Sequence, residues 1–243
     1  MFRVFLLALA ACLTAGSFAR GADLVLAAEG KSDYQIIVPD VAPSPALTAA
    51  LAQTARLLQT AFRANGFTLS VVTESQRNPA KPGLFLGDTA RARSQGIEVA
   101  KLKGWSYVLR VSGRDVIIAG REQPAPGKAK TTRRGEWDRI GTAKGVTDFL
   151  RQYLGTRFLY PDLGPRQSVA AAEKVDWLIS PAIEFLPTPK VIVPADLNLQ
   201  VTPVFDSWTA YPPRGGFYEI ANNRFPRVDD PFGGHTYERA VPP

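Results

Sequence analysis

The stretch over residues 141–161, GTAKGVTDFLRQYLGTRFLYP, constrains the fold more than any other part of this chain. Its apolar residues recur at helical spacing and form one stripe that must be buried against a core; they are Val146, Phe149, Leu150, Tyr153 and Leu154. Gly155 stands where a left-handed residue would end that helix, and a short strand follows. Gly141 and Gly145 lie one turn apart and leave one side of the helix bare. The sequence therefore predicts a helix, a glycine stop and a strand, with room for other backbone to approach the glycines.

The first residues have the composition of an export signal. Arg3 gives a short positive start, residues 4–15 are apolar, and Ser17-Phe18-Ala19 fits a small-x-small cleavage site. The apolar run is shorter than the roughly 20 residues that a membrane-spanning helix needs. We therefore expect residues 1–19 to be a signal peptide and the protein to be periplasmic or extracellular.

A lipoprotein signal is the alternative for the same segment. Leu9-Ala10-Ala11-Cys12 matches the lipobox at which bacterial lipoproteins are cleaved and lipidated, although only residues 4–8 then remain as the apolar stretch. Cys12 is the only cysteine, so an intrachain disulfide is excluded and a packed core must supply the stability. We expect no membrane attachment unless Cys12 is lipidated.

The chain is basic, and much of its charge is concentrated in one segment. Loss of residues 1–19 would lower the net charge from +7 to +6, because Arg3 is removed with no acid. A local excess of Lys and Arg runs from Arg121 to Arg139. Basic surfaces can bind nucleic acid or anionic membranes, but this one lies in a Pro- and Gly-bearing stretch without a recognition helix. We interpret it as a solvated loop and expect no nucleic-acid partner; polyanion binding stays as a minor alternative.

Patterns along the chain predict an α/β domain. Residues 34–38 form a β-branched strand, and Ser44-Pro45 then begins a helix that Asn65-Gly66 ends. The other predicted elements are strands at 67–73, 84–86, 105–112, 116–119, 157–160 and 175–179, and a short helix from Thr89. We predict a two-layer α/β sandwich, in which helices pack on a mixed β-sheet containing one hairpin.

The amino-acid composition of the chain changes after residue 180. Proline recurs from Pro181 onward, and no helical period is sustained. Short strands are predicted at 191–193 and 198–201, and the remainder is rich in proline and aromatic residues. We therefore place an α/β domain at 23–180, and at 181–243 a proline-rich linker with the truncated start of a second domain.

Three motifs occur in a fixed order between residues 107 and 184. The first is Y-x-L-x-V from Tyr107, followed by VIIAG from Val116; the second is G-x-x-x-G-x-x-x-F-L from Gly141, which runs on to FLYP; the third is SPAIE from Ser180. Together they resemble the N-terminal domain of alpha-glucuronidases, and they are similar to the non-catalytic domain before the barrel in beta-hexosaminidases. The resemblance is greatest to the version found ahead of an uncharacterised bacterial glycoside-hydrolase-like domain.

The resemblance implies an exported, polysaccharide-processing protein in which a (β/α) barrel follows this domain and carries the acid and base carboxylates. Residues 222–237 are similar to the opening of that following domain. We therefore expect a non-catalytic accessory domain, in a fragment that lacks the barrel, with an oligo- or polysaccharide as the ligand of the complete protein. A stand-alone carbohydrate-binding module and a remnant of an alpha-glucuronidase-like enzyme are the alternatives.

The sequence offers few candidate residues for catalysis, metal binding or ligand binding. His235 is the only histidine, which excludes a multi-histidine metal site. Asp162 follows Tyr160-Pro161 at the end of a predicted strand and is interpreted as a turn-capping residue. The adjacent Asp229 and Asp230 are interpreted as solvated turn residues, since neighbours in an extended chain point opposite ways. We assign no catalytic residue, metal ligand or cofactor. Trp137, in the basic loop, and His235 are the candidate sugar-binding residues, and the glycines at 141, 145 and 155 are expected to be structural.

Overall fold

The structure is a computed structural model that describes residues 22–42, 44–123, 139–159 and 183–203. Its helices are α1 (Pro45–Ala64), α2 (Ala90–Ser94) and α3 (Gly141–Tyr153), with a 3-10 turn at Val99–Lys101. Its strands in the first half of the chain are β1 (Leu24–Ala28), β2 (Gln35–Val38), β3 (Ser70–Thr73), β4 (Gly83–Leu86), β5 (Tyr107–Ser112) and β6 (Asp115–Gly120). The later strands are β7 (Glu122–Gln123), β8 (Arg139–Ile140), β9 (Thr156–Phe158), β10 (Ile183–Phe185), β11 (Lys190–Val193) and β12 (Asn198–Val201).

Six of these strands form one mixed sheet in the order β12-β5-β6-β4-β2-β3. The four strands β3, β2, β4 and β6 run parallel, and β5 returns antiparallel to β6 as the predicted hairpin. The antiparallel β12 closes the β5 side of the sheet. The predicted mixed sheet with packed helices is therefore confirmed.

Both faces of the sheet are covered, because its central strands alternate apolar side chains between two cores. Ile36 and Ile118 lie in the larger core with α1 and α3. Ile37 and Ile117, their neighbours in sequence, lie in a smaller core with Ala92 of α2 and residues near the 3-10 turn. The helical layer predicted for the sheet is the α1–α3 layer, and the short α2 adds a thin cover on the opposite face.

The ends of α1 follow the sequence signals. Ser44 caps the helix, since its hydroxyl oxygen accepts a hydrogen bond from the Leu47 amide at 3.2 Å, and Pro45 occupies the first turn, where it loses no bond. Asn65 is the C-cap, and Gly66 follows with φ +82°. Thr89 caps α2 in the same way, through the Ala92 amide at 3.1 Å.

Three strands beyond residue 180 pair with strands of the preceding domain. β10 pairs with β9, β11 pairs with β1, and β12 joins the central sheet. Val191 and Val193 are fully buried in the larger core. The strands predicted at 191–193 and 198–201 are thus confirmed, and they extend the domain whose end we expect at residue 180. The strand predicted at 175–179 lies outside the described residues.

Within the described ranges, no helix combines the length and the apolar character needed to cross a bilayer.

Candidate functional site at the carboxyl edge of the sheet

The carboxyl ends of three neighbouring parallel strands meet at one edge of the sheet. β2 ends at Val38, β4 at Leu86 and β6 at Gly120. The chain leaves β2 for α1 and leaves the adjacent β4 for α2, which belong to opposite faces. Open α/β sheets bind ligands in the crevice outside such a divergence, beyond the carboxyl ends of the strands. The polar groups at this edge therefore form the candidate site.

Glu122 is the most unusual of these groups. It comes two residues after the end of β6, and its Oε1 accepts a hydrogen bond of 2.7 Å from the hydroxyl of Thr142 in the first turn of α3. The same hydroxyl oxygen accepts the Gly120 amide at 3.0 Å. Thr142 is fully buried. One threonine hydroxyl thus connects the last residue of β6, the start of α3 and a carboxyl group.

The surroundings of Glu122 disfavour a charge. Its Oε2 is shielded from solvent and has no hydrogen-bond partner within the described residues. Gly87 lies against the carboxyl group, since a Cβ atom built on it would come within 2.8 Å of Oε1. Burial raises the pKa of Glu122 to about 7, the hydrogen bond from Thr142 lowers it, and the nearby carboxylate of Asp88 raises it further. Glu122 therefore holds a proton up to near-neutral pH.

The other carboxylates at this edge fasten loops. Asp40, after β2, accepts hydrogen bonds from the amide and hydroxyl of Ser75 at 3.1 and 2.7 Å, and these bonds lower the pKa of Asp40. Glu74 accepts the Ala90 amide at 2.7 Å, at the start of α2. Asp88 forms an ion pair of 3.1 Å with Arg93. These contacts give each of the three carboxylates a structural partner.

A second polar cluster joins α3 to β5. The Asp148 carboxylate accepts a hydrogen bond from the Tyr107 hydroxyl and one from the Lys144 ammonium, each at 2.5 Å. Tyr107 and Lys144 are both 3% exposed. Burial raises the pKa of Tyr107, with Asp148 adding to the rise, and burial lowers the pKa of Lys144. Because each group is satisfied by another, the cluster serves as a tie between helix and sheet.

The glycines of α3 face the sheet. A Cβ atom on Gly141 would collide with the Ser106 carbonyl oxygen, and one on Gly145 would come within 2.8 Å of Ile118 Cγ2 and 3.0 Å of Tyr107 Cδ2. Gly155 has φ +58°, the left-handed conformation that ends a helix. The bare side of the helix is therefore filled by the sheet.

The two candidate sugar-binding residues, Trp137 and His235, lie outside the described residues, as do Asp162, Asp229 and Asp230. Sequence reasoning missed Glu122, which lies at the start of the basic segment that was interpreted as a solvated loop. The available signal was an acidic residue two positions after a buried parallel strand, a position that faces the ligand edge of an α/β sheet.

A separate open cleft of about 320 Å³ lies at the opposite edge of the sheet. Lys31 and Tyr34, before β2, and Arg114, in the turn before β6, are among its lining residues. In the part of the chain that the structure describes, no group of three or more His, Cys, Asp or Glu side chains is arranged to hold a metal ion.

The sequence matches no protein-family profile, and no curated protein is significantly similar to it.

Proposed function

We propose that this chain is a non-catalytic accessory domain of an exported glycoside-hydrolase-like protein, which packs beside a catalytic barrel and shapes the approach of an oligosaccharide. The sequence resemblance to the N-terminal domain of alpha-glucuronidases motivates this proposal. In such a domain the motifs should serve packing, and the chemistry should belong to the barrel.

The observation that carries the proposal is the burial of α3, the helix within the second motif. Nine of its residues are buried, including Gly141, Thr142, Lys144 and Gly145. The polar side chains among them are turned to internal partners: Thr142 to Glu122, and Lys144 to Asp148. A helix used in this way holds a domain together and presents little to a substrate.

The carboxylates also support a non-catalytic role. Glycoside hydrolysis commonly needs two carboxyl groups about 5–9.5 Å apart, with the sugar bond between them. Asp115 pairs with Arg91 at 2.9 Å, and Asp148 is occupied by Tyr107 and Lys144. Glu122 has the pKa expected of a general acid, but its Oε2 is shielded from solvent.

An activity assay tests the proposal. The purified chain should not hydrolyse aryl glycosides, aryl α-glucuronides or xylan oligosaccharides above the rate in buffer. Glu122→Gln is the matched variant, because it keeps the shape of the carboxyl group and removes its acidity. Hydrolysis by the natural chain that Glu122→Gln abolishes would overturn the accessory role.

The reading frame beyond the Pro243 codon separates this proposal from its rivals. We expect the frame to continue into repeating strand–helix patterns typical of a barrel. A stop codon directly after Pro243, together with glycan binding by the isolated chain, would instead favour a stand-alone carbohydrate-binding module.

A further inference from the structure

We propose that Glu122, Thr142 and Gly120 form a proton-operated latch, in which the neutral Glu122 carboxyl stays buried against Thr142 and holds the first turn of α3 to the end of β6, while ionisation draws the side chain toward water and so breaks that contact. The latch is a property of the fold and does not depend on the proposed carbohydrate role. Its geometry is the chain of hydrogen bonds from the Gly120 amide to Thr142 Oγ1 and from that hydroxyl to Glu122 Oε1, at 3.0 and 2.7 Å.

The direction of these bonds locates the proton. The Thr142 oxygen accepts the Gly120 amide, so its own hydrogen is available to Glu122 Oε1, which acts as acceptor. The acidic proton then belongs on Oε2, the oxygen that is shielded and has no partner among the described residues. A neutral carboxyl group at this place needs no counter-charge, whereas an ionised one would be a poorly solvated charge.

Among the described residues, the groups that face Glu122 offer no compensation for a negative charge. α3 contributes the neutral Thr142, and the turn after β4 contributes Gly87 and the like-charged Asp88. Leu51 of α1 borders Gly87 on the same side. In the described part of the chain, no Lys or Arg forms an ion pair with Glu122.

The neighbouring cation in sequence points elsewhere. The Arg121 guanidinium donates to the carbonyl oxygens of Ala100 and Leu102, beside the 3-10 turn on the other face of the sheet. The hydrogen bond from Thr142 favours the ionised carboxylate, but the effect of burial is larger, so ionisation of Glu122 favours rotation of its side chain toward water. That rotation breaks the bond from Thr142 and loosens the start of α3.

The sign of the pH effect follows from linkage. The folded protein binds the Glu122 proton more tightly than the unfolded chain does, since the pKa rises from 4.5 to about 7 on folding. The stabilisation is complete below pH 4.5 and is lost as the pH rises through about 7. Within that window, the unfolding equilibrium constant should increase by up to about tenfold per pH unit from this group alone.

Two measurements on the full chain test the latch. Carbon-13 NMR of the Glu122 side-chain carboxyl should show a titration midpoint near 7. Hydrogen exchange of the Gly120 amide, corrected for the intrinsic pH dependence, should become at least several-fold less protected between pH 5 and 8. In Glu122→Gln, whose amide oxygen can still accept from Thr142, that protection should stay constant.

The matched control is Glu98→Gln, which neutralises an exposed carboxylate paired with Lys101 and should leave the pH dependence of Gly120 protection unchanged. A Glu122 midpoint near 4.5, or the same pH dependence in the natural chain and Glu122→Gln, would overturn the latch. The carboxyl titration is made on the natural chain, so it decides the question even where the Gln variant folds poorly.

Discussion

At the scale of single residues, Thr142 contributes to the fold through two hydrogen bonds of one hydroxyl group. Its hydroxyl serves a backbone donor and a carboxyl acceptor at once, inside a fully buried environment. Leaving buried groups without partners costs more than a hydrogen bond contributes on average, because the lost hydration is not replaced. This hydroxyl therefore adds a buried hydrogen-bonded link between β6 and α3 to the close packing of Gly145 against Ile118.

Thr142→Val should lower the free energy of unfolding by about 1–3 kcal/mol, since valine fills the same space but leaves the Gly120 amide and Glu122 Oε1 without Thr142. Urea unfolding at pH 5 measures the change. Thr54→Val is the matched control: Thr54 is equally buried, and its hydroxyl bonds only the Ala50 carbonyl one turn earlier in α1. Equal losses in the two variants would contradict the role given to Thr142.

The sequence indicates some of these residues and hides others. The spacing of Gly141 and Gly145 is visible and shows that one side of α3 is bare. What fills that side is not visible, because Ser106, Ile118 and Tyr107 reach the helix from strands that only the folded sheet brings there. Glu122 is hidden for the same reason, since its hydrogen-bond donor is a threonine 20 positions later.

At the scale of elements, predictions succeed where the chain carries local signals. α1 has an N-cap serine, a first-turn proline and a closing glycine, and its predicted ends agree with the structure. The β5–β6 hairpin has clean alternation and a tight turn at Gly113, with φ +63°. Such signals are set by neighbours in sequence.

Two of the strands that sequence reasoning missed, β1 and β10, form only through partners elsewhere in the chain. β1 was not predicted, and it forms only by pairing with β11, more than 160 residues away. β10 was also not predicted, because its three residues gain their strand geometry from β9. Such short strands contain too few residues to show a recognisable alternation of apolar and polar side chains.

At the scale of the whole molecule, residues 183–203 complete the domain. Two of their strands, β11 and β10, pair with β1 and β9, and the third, β12, forms one edge of the central sheet. Their proline content predicted a linker, yet Val191, Val193 and Leu197 lie in the larger core. The alternating burial of β11 is the period-2 signal of a half-buried strand.

A pair of shortened chains tests this assignment. A chain over residues 22–203, which ends just after β12, is the reference. A chain over 22–180 should lose at least about 3 kcal/mol, because each fully buried valine contributes roughly 1.5–3 kcal/mol. Chemical denaturation measures both, and equal midpoints for the two shortened chains would show that β10–β12 do not belong to the domain.

We infer that the glycine-bearing segment at α3 serves packing and not ligand binding. Gly145→Ala tests it by the sign of the stability change. The added methyl group would come within 2.8 Å of Ile118 Cγ2, in a stiff β-branched side chain, and within 3.0 Å of the Tyr107 ring, which Asp148 holds in place.

Overpacking of this kind costs about 1–3 kcal/mol, while alanine gains about 1 kcal/mol over glycine in helix propensity. Urea unfolding of Gly145→Ala beside the natural chain decides between the two effects. We predict a net loss of up to about 2 kcal/mol in the free energy of unfolding. A gain of about 1 kcal/mol, which is what helix propensity alone provides for a glycine facing open space, would contradict it.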